Sequence, residues 1–329
     1  MSFFASWPHK RTGGASAPRI LCTGIIVLDE VFRVEDFPKA DGKVEAKGFF
    51  VVNGGCAANA AVAIARLGGR AALAGPLGGP AGKDDNGDRV LAALHRENVD
   101  TSACQRVDGL ATALSAIFID ARGDRTIVTY REQRIAAVTP DDPEGLAASA
   151  DLVLADNRYP QFALPICEAA RRRKVPVVLD GDKPTVVDDP FFRVATHVIF
   201  SAECLLATAG GSDLGDGLKT VARYTEAFLA VSNGPNDILI LENETFRRVP
   251  VFPIRAVDTL GAGDALHGGF ALAIAEGRSE AEALRFGAAV AGIKCSRLGG
   301  SAGAPTRAEV EALLAESGAS AAAGATLGY

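Results

Sequence analysis

The sequence predicts an α/β protein with a mostly parallel central sheet, helices on both of its faces, and a small second β-sheet. Three observations carry this. Short runs of nearly continuous apolar character recur along the chain, as strands covered on both faces require. Amphipathic helical segments alternate with them, which is the βαβα order of a parallel sheet. Two β-rich stretches have no crossover helix between their halves, so they fall outside that sheet.

The elements follow in order. "RILCTGIIV", from Arg19, reads as the first strand. "VFRVEDFPKADGKVEAKGFFVV", Val31 to Val52, reads as an antiparallel hairpin. In "VVNGGCAANAAVAIARLGG", Gly54 and Gly55 precede a small-residue helix that stops at Gly68. "DDNGDRVLAALHRENV" is a second helix. A second hairpin runs from Thr112 to Tyr130 and turns at Ala121 to Asp124. "DLVLAD", "VPVVLD", "HVIF" and "FLAVSNG" are further strands, with "QFALPICEAARRRKV" a helix among them. "DILILENETFRRVPVF" is a third hairpin at a sheet edge. Two late helices open with capping-box spacing, Ser279 with Glu282 and Thr306 with Glu309. Residues 19–316 are expected to form one large domain, with residues 1–18 and the low-complexity stretch 317–329 as flexible extensions.

Composition narrows the function classes. Of 329 residues, 48% are hydrophobic and 22% charged, as in a globular domain of ordinary make-up. A net charge of -6 gives no basic footprint for nucleic acid. No apolar stretch is long enough to span a bilayer, and the N-terminus lacks a signal peptide's apolar core. The six cysteines are scattered without a C-x-x-C pair, which predicts reduced thiols in a cytoplasmic protein rather than disulfides or zinc.

The most informative stretch is "AVDTLGAGDALHGGF", Ala256 to Phe270. Gly261, Ala262 and Gly263 open a small, apolar helix almost without side chains. A helix start offers unpaired N–H groups and a positive dipole end, so these residues form an anion hole. Asp264 then stands beside any bound anion. Such an acid either caps its helix or acts as a general base on a hydroxyl, and on the residues alone the two readings balance. "GGPAGKDD", from Gly78, mimics a P-loop but is one residue short, with Asp84 where Ser or Thr belongs. Leu266 stands where a dinucleotide fingerprint needs its third glycine.

The two glycine clusters together, "NGGCAANAAVAIARLGG" and "DTLGAGD", resemble the two signatures of the PfkB carbohydrate kinases, the ribokinase-like family. The resemblance covers residues 19 to about 315. It implies a three-layer αβα sandwich in which the hairpins at about 31–52 and 112–130 form a β-sheet lid. It also implies transfer of the ATP γ-phosphate, with Mg²⁺, to a sugar hydroxyl. Asp264 would then be the base, with Gly261, Ala262 and Gly263 stabilising the transferred group. Asp29, Gly54, Gly55 and Asn59 would bind the sugar. Ser232 and Gly234 would lie beside the nucleotide, Asp180 and Lys183 near the phosphates and metal, and Ala291 and Cys295 along the adenine pocket. Where many members carry Asn-x-x-Glu for the metal, this chain has "SAEC", with Glu203 one position off. Metal binding then falls to Asp180 and Asp182, or to Glu203. A monovalent cation such as K⁺ is expected beside Asp258, as in some members.

Within the family, "VLADNRYP", "VVLDGDKP" and "KCSRLGGSAGAP" are similar to the ketohexokinase and sulfofructose kinase subgroup. Lys43 and Arg158, if both face the sugar, would form a pocket for a phosphate or sulfonate, although Thr129 replaces the subgroup's Asn. The expected substrate is thus a ketohexose or an anionic derivative. A nucleoside or other sugar of the family (ribose, 2-keto-3-deoxygluconate) is the alternative within enzymes. A non-catalytic sugar- or nucleotide-binding regulator is the alternative outside them. The exposed strand edges of the lid predict a homodimer formed through it.

Overall fold

The computed structural model describes residues 16–325. The N-terminal extension expected up to residue 18 thus lies almost wholly outside the described residues. So do residues 326–329.

The first apolar run forms two strands, not one. β1 (Arg19–Thr23) and β2 (Val27–Arg33) belong to different sheets. The chain turns at Gly24, with φ +151°, where a Cβ atom would fall 2.1 Å from Asp156 Oδ2. Apolar continuity hid this break. β2 pairs antiparallel with β3 (Gly48–Gly54), the first predicted hairpin. After α1 (Cys56–Arg66), β4 (Arg70–Ala74) adds a parallel edge beside β1. β4 is rich in alanine and carried no strand signal. β5 (Pro76–Gly79), α2 (Asp85–Arg96) and β6 (Gln105–Asp108) follow, β5 and β6 forming a two-stranded ribbon. β7 (Ala113–Ile119) and β8 (Arg125–Tyr130) make the second predicted hairpin.

The alternation then resumes with α3 (Pro143–Ala148), β9 (Leu152–Asp156), α4 (Pro160–Arg172), β10 (Val177–Gly181), α5 (Pro190–Val194) and β11 (His197–Ser201). It continues through α6 (Ala202–Ala209), α7 (Leu214–Ala222) and β12 (Phe228–Asn233). β13 (Asn236–Glu242) and β14 (Thr245–Val249) are the third hairpin, and β14 is the sheet edge as expected. The chain closes with α8 (Ala262–Ala275), α9 (Glu280–Cys295) and α10 (Arg307–Ala325). The capping box of Ser279 and Glu282 is formed. At α10, Thr306 donates to Glu309 through both its backbone N–H and its hydroxyl. α10 does not stop at residue 316: alanine, the best helix former, carries it through the low-complexity stretch to Ala325.

The large sheet has eight strands in the order β14-β13-β12-β11-β10-β9-β1-β4, parallel from β12 through β4. Strand side chains alternate between its two faces. Ile20, Leu154, Val178 and Ile199 join a core under α1, α8 and α9. Leu21, Val153, Leu179 and Val198 join a second core under α4, α6 and α7. These are the three predicted layers. A fully buried Leu or Phe contributes roughly 1.5–3 kcal/mol, so two such cores hold the sheet between its helix layers.

The two hairpins merge into a four-stranded sheet, β3-β2-β7-β8, joined by a parallel β2–β7 pair. Val31 and Ile117 on its inner face pack with Leu260, inside the glycine turn. The opposite face carries Phe32, with Phe49 at 4.9 Å and Phe118 at 5.5 Å between ring centroids. Among the described residues, no helix is long and apolar enough to cross a membrane. All six cysteines are free thiols.

Candidate active site

Asp264 does not cap its helix. The N-cap of α8 is Gly261 in the left-handed conformation, φ +75°, with no side chain bonded there. The Asp264 carboxylate instead accepts a hydrogen bond from Asn59 Nδ2 at 2.7 Å. Asn59 Oδ1 accepts from Asn53 Nδ2 at 3.2 Å, and Asn53 Oδ1 accepts from the Ser301 hydroxyl at 3.1 Å. A polar line thus runs from the loop after α9, through β3 and α1, to the acid on α8. Asn53 and Ser301 were not singled out from the sequence.

Acids crowd this point. Asp180 is the penultimate residue of β10, and Asp182 follows the strand. The ligand atoms of Asp180, Asp264 and Cys56 lie within 4.8 Å of one another. Burial, and then the neighbouring charge of Asp180, push the Asp264 carboxyl up to about 7, against the pull of the Asn59 hydrogen bond. Burial also holds Asp180 well above the ordinary range, with Asp182 and Asp156 adding to it. The Cys56 thiol is raised by burial and by four surrounding aspartates, so it is no thiolate. His267 packs beneath, its ring nitrogens 2.8 Å from the Gly263 carbonyl oxygen and 3.1 Å from that of Ile199. Its Nε2 is 3.5 Å from Asp180 Oδ1.

The donor set fits a hard divalent cation: Asp180 and Asp264 bring buried carboxyl oxygens together beside a helix start that favours phosphate, and Asp182, paired with Arg158, adds a third acid. Asp180 and Asp182 are the residues that would hold it. Glu203 does not join them. It is exposed in the first turn of α6, while its buried neighbour Cys204 has its thiol pushed up to about 11, by burial first and by Asp182 and Asp180 in part.

Asp29 stands on β2, buried, its carboxyl raised to about 6 by burial and held partly down by Ser115. A Cβ at Gly54 would fall 2.0 Å from Asp29 Oδ2, so only glycine leaves this acid its place. Gly55, φ +92°, is the N-cap of α1. The Thr129 hydroxyl is 3.2 Å from that of Ser115.

Lys43 and Arg158 stand in different surroundings. Lys43 is exposed in the long connection between β2 and β3. Arg158 is tied to Asp182 by an ion pair. Charge read from sequence supplied the cation but not its partner. Asp156, which the sequence reading passed over, organises this corner. It is buried, with Oδ2 accepting from the backbone N–H of Ile25 at 2.9 Å and of Ala57 at 3.2 Å. Its Oδ1 accepts from Arg158 N at 2.9 Å. An acid closing an apolar strand was the available signal, because α/β sites gather at the carboxyl ends of strands.

The residues expected around the nucleotide lie at the end of β12, on α9 and just after β10. Ser232 Oγ donates to the Phe200 carbonyl at 3.2 Å, and Gly234, φ +55°, turns the chain into β13. Ala291 and Cys295 are half-buried on α9. Lys183 is exposed, its carbonyl accepting from Asn157 Nδ2 at 2.8 Å. Asp258 is buried and already engaged. Its Oδ1 accepts from Leu260 N at 2.8 Å, and its Oδ2 accepts from Gly299 N at 3.1 Å and Gly300 N at 3.0 Å. Lys294 Nζ lies 3.3 Å from that Oδ2. The K⁺ expected there meets an ammonium instead.

A profile of the pfkB family carbohydrate kinases matches residues 17–307. The chain belongs to this family. It is therefore a phosphotransferase that uses ATP and acts on an alcohol group. The ribokinase of Bacillus subtilis (strain 168) is 29% identical over 308 residues, covering 90% of this chain and 99% of that protein. Fructokinase-1 of Zea mays is 28% identical over 299 residues, covering 82% and 90%. A crystal structure from Agrobacterium tumefaciens, provisionally assigned as a ribokinase, superposes with a TM-score of 0.87 at 38% identity, over 92% of this chain and 98% of that one. The Arabidopsis thaliana ribokinase bound to ribose and ATP shares the fold at a TM-score of 0.80 and 24% identity, over 91% and 99%. These relatives are ribokinases and fructokinases, and the narrower ketohexokinase and sulfofructose kinase likeness is not among them.

Proposed function

We propose that this pfkB kinase phosphorylates a ketohexose or a related free sugar held between Asp29 and Asp264, with Asp264 as the general base. One observation carries the reading: Asp264 sits beneath an uncapped helix start, freed from capping, oriented by Asn59 and raised to about 7. A carboxylate so placed takes the proton from a sugar hydroxyl as it attacks. The amides of Gly261, Ala262 and Gly263 stabilise the charge on the transferred phosphoryl group. Mg²⁺, when bound, neutralises phosphate charge. Asp180 and Asp182 are the residues to hold it. The smaller sheet serves as the lid that excludes water, presenting Asp29 to the sugar.

The nucleoside alternative has little support in the lid. Along β2, Asp29 and Val31 face one way and Phe32 the other, so the cluster of Phe32, Phe49 and Phe118 lies away from Asp29 and offers no base a stacking partner. An acidic group on the sugar is favoured by one feature, the buried Arg158 Nε, which has no hydrogen-bond partner. ADP release with Mg-ATP is to be compared across fructose, ribose, fructose 6-phosphate, sulfofructose, 2-keto-3-deoxygluconate and adenosine. The expected result is one preferred free sugar. Preference for a phosphate or sulfonate ester would favour the Arg158 reading. Turnover on none, with ATP still bound, would favour a substrate outside this panel or the regulator reading over a ketohexose.

The outer lid face also supports a homodimer. Phe49 is 55% exposed, Val128 61% and Tyr130 58%, all on the two edge strands. Sedimentation velocity is expected to show a dimer that Phe49→Lys with Val128→Lys dissociates, and a native monomer would remove the proposal.

A further inference from the structure

Lys294 has no part in the chemistry above, yet it is fully buried. It stands in the last turn of α9 and donates to the Asp258 carbonyl at 2.7 Å, with the Asp258 carboxylate at 3.3 Å. Burial lowers its ammonium pKa, while Asp258 draws it back up. One residue thus supplies both oxygens to the cation, and the same carboxylate holds three backbone N–H groups from two loops. Those loops are the glycine turn, through Leu260, and the segment at Gly299 and Gly300. A buried carboxylate accepting from three amides still needs a positive partner. A carbonyl and a carboxylate oxygen are also the ligands a hard monovalent cation takes.

We infer that the Lys294 ammonium is this chain's built-in monovalent cation, fixing Asp258 and the glycine turn so that the protein needs no added alkali ion. A second cation at Asp258 would meet Lys294 at contact distance in a dry site, where like charges repel strongly. The residues therefore do not fit K⁺ as a further ligand. Lys294 acts as a positioning residue: it reaches the anion hole only through Asp258 and Leu260. The inference stands on this geometry and does not require the sugar-kinase reading, because it is also read by melting.

The test compares KCl, NH₄Cl, NaCl and tetramethylammonium chloride at equal ionic strength, following thermal unfolding and, with the preferred sugar, turnover. The wild type is expected to change by less than about twofold in rate, with no ion-specific shift in melting. Lys294→Ala opens the site and is expected to lose about 10²-fold in rate, with K⁺ or NH₄⁺ restoring rate and melting temperature and tetramethylammonium doing neither. Lys294→Met fills the space and is expected to respond to no ion. A wild type stimulated severalfold by K⁺ would overturn the inference whatever the variants do. So would a folded Lys294→Ala protein that gains nothing from either ion, or a Lys294→Met protein rescued as well as Lys294→Ala.

Discussion

Asp264→Asn is expected to lower turnover by roughly 10²–10⁴-fold while making the unliganded protein more stable above pH 7. The first effect follows from removing the base. The second follows from linkage. Asp264 has its carboxyl raised from 3.8 to about 7, with burial the largest cause and Asp180 the next. Between those values the folded state holds a proton that the unfolded chain has released. Stability therefore falls as pH rises from about 4 to about 7, and the loss is complete above that, at roughly 4 kcal/mol. Asparagine cannot ionise and escapes the loss, while its amide oxygen still accepts from Asn59. Melting curves at pH 5 and pH 8 check this: the variant should gain on the wild type only at the higher pH. In the wild type, kcat/KM should climb with pH through about 7, since the base must be ionised. A variant that keeps its turnover, or one that is stabilised equally at both pH values, would remove Asp264 from the role of base.

Asp156→Ala is expected to cost roughly 3 kcal/mol or more, the largest stability loss of any single change at the site. Three backbone N–H groups, of Ile25, Ala57 and Arg158, would lose their acceptor together. Asp156→Asn keeps one acceptor oxygen but turns an amide toward the third donor, so it should fall between. Urea unfolding midpoints measure both. The kinetic consequence is indirect: Ile25 leads into β2 and Asp29, and Ala57 opens the helix that carries Asn59. Sugar KM is therefore expected to rise in the weaker variant too. Unchanged midpoints would mean that the three amides find other partners.

Much of this was legible in the sequence because the signals are local. The glycine turn and its acid, the capping-box spacings and the two hairpins with short turns are each set by residues within a few positions. What was not legible depends on distance. Asp156 bonds partners 131 and 99 residues away, so nothing beside it in the chain marks its task. Lys294 looks like any polar residue at the end of a helix, and its partner Asp258 lies 36 residues earlier. The break at Gly24 was masked because the strands on either side are apolar for different reasons, one in each sheet. The pairing of Arg158 with Asp182 was not legible either, because a charge does not state its counter-charge.

The line from Ser301 through Asn53 and Asn59 to Asp264 has a consequence for ATP when no sugar is present. Asn53 belongs to the smaller sheet and Asn59 to the body, so the base is aimed only while both sheets keep their registration. Displacement of the smaller sheet draws on the 3.2 Å bond between the two amides and leaves Asp264 without its second support. Water, which cannot hold that sheet in place, is then a poor phosphoryl acceptor. On the proposed reading of Asp264, selectivity against wasteful hydrolysis would rest on these two asparagine amides.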